Sequence, residues 1–128
     1  NLSQKIDYLN FDKHFVGESN WFVIDWISNV LNGFDLSLEI YTGTLMIKGH
    51  VTLDSAESRN LKRKINDLLM DKFKSRFNIV RSNRNGKIST MINFKDFPKI
   101  NQDDCLVNFD ETLSYIARVQ SLFKKLKI

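Results

Sequence analysis

One cysteine, one proline and five glycines are all that this 128-residue chain holds of those three types. The lone thiol, Cys105, cannot close an internal disulfide, so no covalent staple supports the fold. So little Pro and Gly excludes long flexible linkers. No apolar run approaches the roughly 18 residues that a membrane-spanning helix needs. No glycine-rich loop is present to cradle a phosphate. The chain opens on Asn1 without a signal-peptide pattern, and it reads as an excised or processed piece.

What is present points to a packed domain. Hydrophobic residues make up 42% of the chain and aromatics 12%, with ten Phe and two Trp, enough to bury a sizeable core. The net charge of +4 permits an acidic partner, either nucleic acid or an anionic membrane surface. The length fits one α+β domain over residues 1–128, with an N-terminal helix and loop extension over 1–18 and a C-terminal helix over 109–128.

Along the chain, Leu2, Ile6 and Leu9 recur at helical spacing, then Phe11 and Phe15 follow. Ser19 or Asn20 is placed to cap a second helix, "WFVIDWISNVLN", ending at Gly33. Its broad apolar arc predicts a helix that is well buried or meets a partner, with Trp21, Phe22 and Trp26 as the candidate interface. Strict alternation in "FDLSLEIY" and "LMIKGHVTL" around Thr42-Gly43 predicts a hairpin. The implied register pairs Ile40 with Leu45, Leu38 with Ile47, Phe34 with Val51 and Asp35 with His50, and sets Glu39 diagonal to Lys48. A long helix follows, with Leu61, Ile65, Leu68, Leu69, Phe73 and Phe77 inward and Arg63–Asp67, Lys64–Asp67 and Asp71–Lys74 pairs outside.

"VRSNRNGKIST" then reads as a second hairpin turning at Asn85-Gly86. A two-residue loop sets Phe77 against Phe94, Ile79 against Ile92, Val80 against Met91, Arg81 against Thr90 and Arg84 against Lys87. Ile88 falls on the core face; Val80 and Met91 fall outside. A last helix starts at Asn108 or Asp110 and turns Leu113, Ile116, Val119, Phe123 and Leu126 inward. The expected order is α-α-β-β-α-β-β-α, with helices packed on one sheet.

Chemistry-bearing constellations are few. His50 faces Asp35, and such a pair can orient a general base, but no feature supplies the nucleophile it would activate, so the pair reads as a cross-strand ion pair. His14 stands alone, and Asp103, Asp104 and Cys105 lack the convergent ligands that a metal requires. We therefore expect no catalytic, cofactor-binding or metal-binding residues and no cofactor. The basic hairpin is the better candidate: Arg81, Arg84 and Lys87, with Lys95 beyond, are placed to meet phosphates. The competing reading is a solvated tip whose charges discourage edge-to-edge aggregation. Both stand at this point.

Residues 43 to 59, "GTLMIKGHVTLDSAESR", resemble the BON domain, whose hairpin runs G-x-V-x-L-x-G-x-V before a helix with a basic residue. Gly43, Leu45, Ile47, Gly49, Val51 and Arg59 occupy the matching positions. The order of elements over 21–83 is similar to the αββαβ plan that ring-building secretion domains share. The resemblance implies a non-catalytic module of the bacterial cell envelope, used for assembly or lipid contact, with Gly49 as a close-packing point. The functional expectation is a non-enzymatic protein–protein interaction or assembly module, by a protein partner or self-association. The alternative is binding of a DNA or RNA backbone through 81–87.

Overall fold

The computed structural model describes residues 14–16, 19–31, 33–41, 43–51, 56–82, 86–98 and 109–126, with side chains from Val23 onward except those of Ala56 and Phe109. Six antiparallel strands form one sheet: β1 (His14–Val16), β2 (Ser19–Leu31), β3 (Phe34–Tyr41), β4 (Thr44–Val51), β5 (Ile79–Arg81) and β6 (Ile88–Phe94). Their spatial order is β1-β2-β3-β4-β6-β5. Helix α1 (Ala56–Lys74) links β4 to β5, and α2 (Phe109–Lys124) follows β6. The class is α+β, but the expected order changes at its N-terminal end.

The predicted helix 21–32 is strand β2, hydrogen-bonded to β3 from Trp21↔Tyr41 to Leu31↔Phe34. Two physical facts explain the correction. The segment is rich in β-branched and aromatic residues, which favour a pleated surface. Irregularities between Val23 and Asp25 and between Ile27 and Leu31 break its alternation. Val23 and Ile24 are consequently both buried, and that imitates a helical arc. Gly33 is not a helix cap but a turn residue at φ 72°, its N–H donating to Asn29 Oδ1 at 3.0 Å. Of the predicted first helix and extension, residues 14–16 form β1, and 1–13 lie outside the described residues. The leading helix of the αββαβ plan is thus a strand here.

The first hairpin has the register expected, Phe34↔Val51 through Ile40↔Leu45, with Gly43 at φ 79° in the turn. The second does not. Ile79 faces Phe94, Val80 faces Asn93 and Arg81 faces Ile92, two residues away from the predicted pairing. A shift of two preserves which face each side chain takes, so Ile79 and Phe94 still reach the core. A bulge changes faces further along β6. Opposite β4, Ile47 pairs with Ile92 but Lys48 pairs with Thr90, so Met91 is the extra residue. Met91 is therefore buried at 1% exposure, and Ile88, opposite His50, is 62% exposed, both reversing the sequence expectation.

Both helices pack on the sheet face that carries Leu36, Leu38, Ile47 and Ile92. Ile65, Leu69 and Phe73 of α1 and Ile116, Val119 and Phe123 of α2 join them in the core. At one end Phe73, Phe77, Phe94, Phe97 and Tyr115 form an aromatic cluster, with Phe73 edge-on to Phe94 at 5.5 Å. Tyr115 hydroxyl donates to Asp96 Oδ1. Burial, then the Asp96 carboxylate, push its pKa well above the ordinary tyrosine value. Among the described residues no helix is long and apolar enough to cross a membrane.

Candidate functional site

Alternation along the strands directs Trp26, Ser37, Glu39, Tyr41, Met46, Lys48, His50, Val80, Ile88 and Asn93 to the sheet face opposite the helices. No described element packs on that face. The large hydrophobics that are exposed among the described residues are Trp26 (41%), Tyr41 (44%), Val80 (36%) and Ile88 (62%). All four belong to it.

At its middle lies a polar network. Glu39 is 1% exposed and Ser37 fully buried. Ser37 Oγ donates to Glu39 Oε2 and lies 2.8 Å from His50 Nε2. Lys48 Nζ is 3.5 Å from Glu39 Oε1 and stands over the Tyr41 ring at 5.1 Å. His50 also stacks on Trp26, ring centroids 4.4 Å apart. The Ser37 hydroxyl is sealed from solvent. The direction of its bond with His50 follows the imidazole tautomer, and the same Nε2 lies 3.7 Å from Glu39 Oε2. Serine, histidine and carboxylate side chains thus meet in one hydrogen-bonded network on this face.

The predicted Asp35–His50 pair does not form, although the two residues do face each other. Asp35 Oδ1 accepts the backbone N–H of Asn29 at 2.7 Å, and Asn29 itself sits at φ 55°, a left-handed conformation that asparagine tolerates. Among the described residues no three His, Cys, Asp or Glu side chains converge as a metal site. Cys105, Asp103 and Asp104, and the His14 side chain, lie outside the described residues.

The basic candidates are dispersed. Arg81 faces the helix side and donates to Asp67 of α1, so Asp67 is bridged across the fold rather than to Arg63 or Lys64 along its own helix. Arg84 lies outside the described residues. Lys87 is exposed at the tip, where its carbonyl accepts Val51 N–H at 2.8 Å and the neighbouring Gly86 carbonyl accepts from Lys62 Nζ. Lys95 stands at the other end of β6, about 25 Å from Lys87 at strand rise.

Lys95 has other company. With Tyr41, Met46, Lys48, Val80 and Asn93 it lines an open groove of about 850 Å³ across β4, β6 and β5 on the open face. Sequence reasoning missed this groove, although the first hairpin's register already turned Lys48 outward. The side chains of Trp21 and Phe22 lie outside the described residues; their backbones pair with Tyr41 and Ile40. Trp26 is the candidate interface residue found on the open face. Comparison with protein-family models, curated proteins and solved structures returned no match for this chain.

Proposed function

We propose that the chain is a non-enzymatic interaction module that meets a protein partner, or a second copy of itself, through the open face of the sheet. One observation carries this reading: the four exposed large hydrophobics of the described residues all lie on that face. Scattered apolar residues on a surface need no explanation, but a shared face does. Trp26 and Tyr41 are of the residue types that dominate binding energy at interfaces. The network beneath them serves as a rigid floor. Glu39 holds Ser37 and Lys48, and His50 holds the Trp26 ring, so these side chains are positioned before a partner arrives.

The test is site-specific photo-crosslinking in cells. A benzophenone side chain at position 88, on the open face, is expected to capture a protein partner or a second copy. The same group at position 63, on the exposed side of α1, is expected to capture little. Equal capture at both positions, or capture at 63 alone, overturns the reading.

A second reading is binding of a nucleic-acid backbone through the 81–87 hairpin, and the placement of Lys62 beside the tip favours it by adding a cation. The engagement of Arg81 by Asp67 works against it. Its signature is oligonucleotide affinity that falls steeply with salt and weakens in the Lys62→Ala/Lys87→Ala variant.

A further inference from the structure

We infer that the free edge of β5, at the border of the groove that Lys95 lines, takes an extended acidic peptide segment, whose apolar side chain packs on Val80 and whose carboxylate meets Lys95. This rests on the open face being a protein-binding surface and names the chemistry of the partner. Three observations carry it.

The first is charge. Among the described residues that line the groove, Lys48 and Lys95 are the charged ones, and both are cationic. Lys48 is engaged by Glu39, whereas Lys95 is exposed and forms no side-chain ion pair among the described residues. A carboxylate from outside complements it.

The second is the backbone. Asn78 carbonyl accepts Lys95 N–H at 2.7 Å and Ser82 N–H donates to Met91 carbonyl at 3.0 Å. In an antiparallel ladder the alternate residues, Ile79 and Arg81, then turn their N–H and C=O groups away from β6. Strand β5 is the last in the sheet, so among the described residues those groups have no ladder partner. An extended chain satisfies them by strand addition, the mode in which main-chain bonds supply affinity and side-chain pockets supply selectivity.

The third is the lining. Val80 (36% exposed), the open-face side chain of β5, presents apolar surface next to the added strand, and the Asn93 side chain paired with it supplies a donor and an acceptor on the way to Lys95. An aliphatic or aromatic side chain flanked by an acid matches this sequence of surfaces.

The experiment is selection of a displayed random peptide library on the whole chain, with a labelled oligothymidylate tested in parallel. Enriched peptides are expected to carry Asp or Glu within two or three positions of an apolar residue. Their affinity is expected to fall about three- to tenfold in Lys95→Glu. Arg81→Pro, which removes one outward N–H from the edge strand, is expected to lower it by about fivefold, with Arg81→Ala close to wild type. Enrichment of peptides without acids, or affinity insensitive to both Lys95→Glu and Arg81→Pro, overturns the inference. If such peptides instead lose binding in Trp26→Ser or Ile88→Ser, the open-face reading stands and only the groove assignment falls. If no peptide is enriched, or none depends on any of these residues, the inference falls, and crosslinking from position 88 decides the open-face reading. If oligothymidylate binds and displaces the peptides with the same dependence on Lys95, the occupant is nucleic acid, and the peptide assignment is overturned.

Discussion

Gly49 is the position where the packing account is most exposed to test. A Cβ built there stands 2.7 and 2.8 Å from the Phe34 ring and 3.0 Å from Met91 Sδ. Met91 is a flexible thioether and can yield. Phe34 is fully buried and cannot swing clear. Overpacking of this kind costs about 1–3 kcal/mol, and replacing a strand glycine with alanine returns roughly 0.5–1 kcal/mol of backbone entropy. Gly49→Ala is therefore expected to destabilise by about 1–2 kcal/mol. In urea the midpoint should fall by roughly 0.5–1 M with an unchanged slope. Phe34→Leu should then be less damaging in the Gly49→Ala background than alone, with a coupling of at least about 0.5 kcal/mol. A Gly49→Ala variant as stable as wild type, or strict additivity with Phe34→Leu, refutes the close approach of β4 to Phe34.

The remaining expectations concern charge. Arg81→Ala should cost under about 1 kcal/mol in thermal unfolding, because both partners of the Arg81–Asp67 bridge are substantially exposed. Glu39→Ala should cost about 3 kcal/mol in urea unfolding, since it leaves Ser37 and Lys48 without their buried acceptor. Tyr115 has a folded pKa raised above its unfolded value, so its contribution is complete below about pH 10 and is lost as pH rises beyond it. Urea unfolding at pH 9 and pH 11 should show a loss in wild type that is smaller in Tyr115→Phe.

Much of the architecture was legible from pattern alone. The β3–β4 register followed because Phe34, Leu36, Leu38 and Ile40 on one strand and Leu45, Ile47 and Val51 on the other keep to alternate positions. Helix α1 followed from the spacing of Ile65, Leu69 and Phe73, and α2 from Ile116, Val119 and Phe123. The β5–β6 register was missed because the loop is longer than the two-residue turn expected at Asn85-Gly86, and the other two failures share one cause. β2 and β6 both contain bulges, and a bulge inserts a residue that periodicity cannot anticipate. In β2 it disguised a strand as a helix by burying Val23 and Ile24 together. In β6 it exchanged Met91 with Ile88, and so hid one of the apolar residues of the open face. The candidate site was legible only in part. Trp26 was singled out for the wrong element, and Lys95 for a hairpin whose other end it does not reach. The Ser37–Glu39–His50 network was not foreseen, because its members belong to a face that alternation marks only as polar.

The central claim is that Trp26, Tyr41, Val80 and Ile88 share one open surface. Hydroxyl-radical footprinting of the free protein, read residue by residue by mass spectrometry, tests it most directly. The account predicts that Trp26, Tyr41 and Ile88 are oxidised at rates typical of exposed side chains, while Phe34, Met91 and Phe123 are protected. Trp26 and Ile88 protected to the level of Phe34 would contradict it.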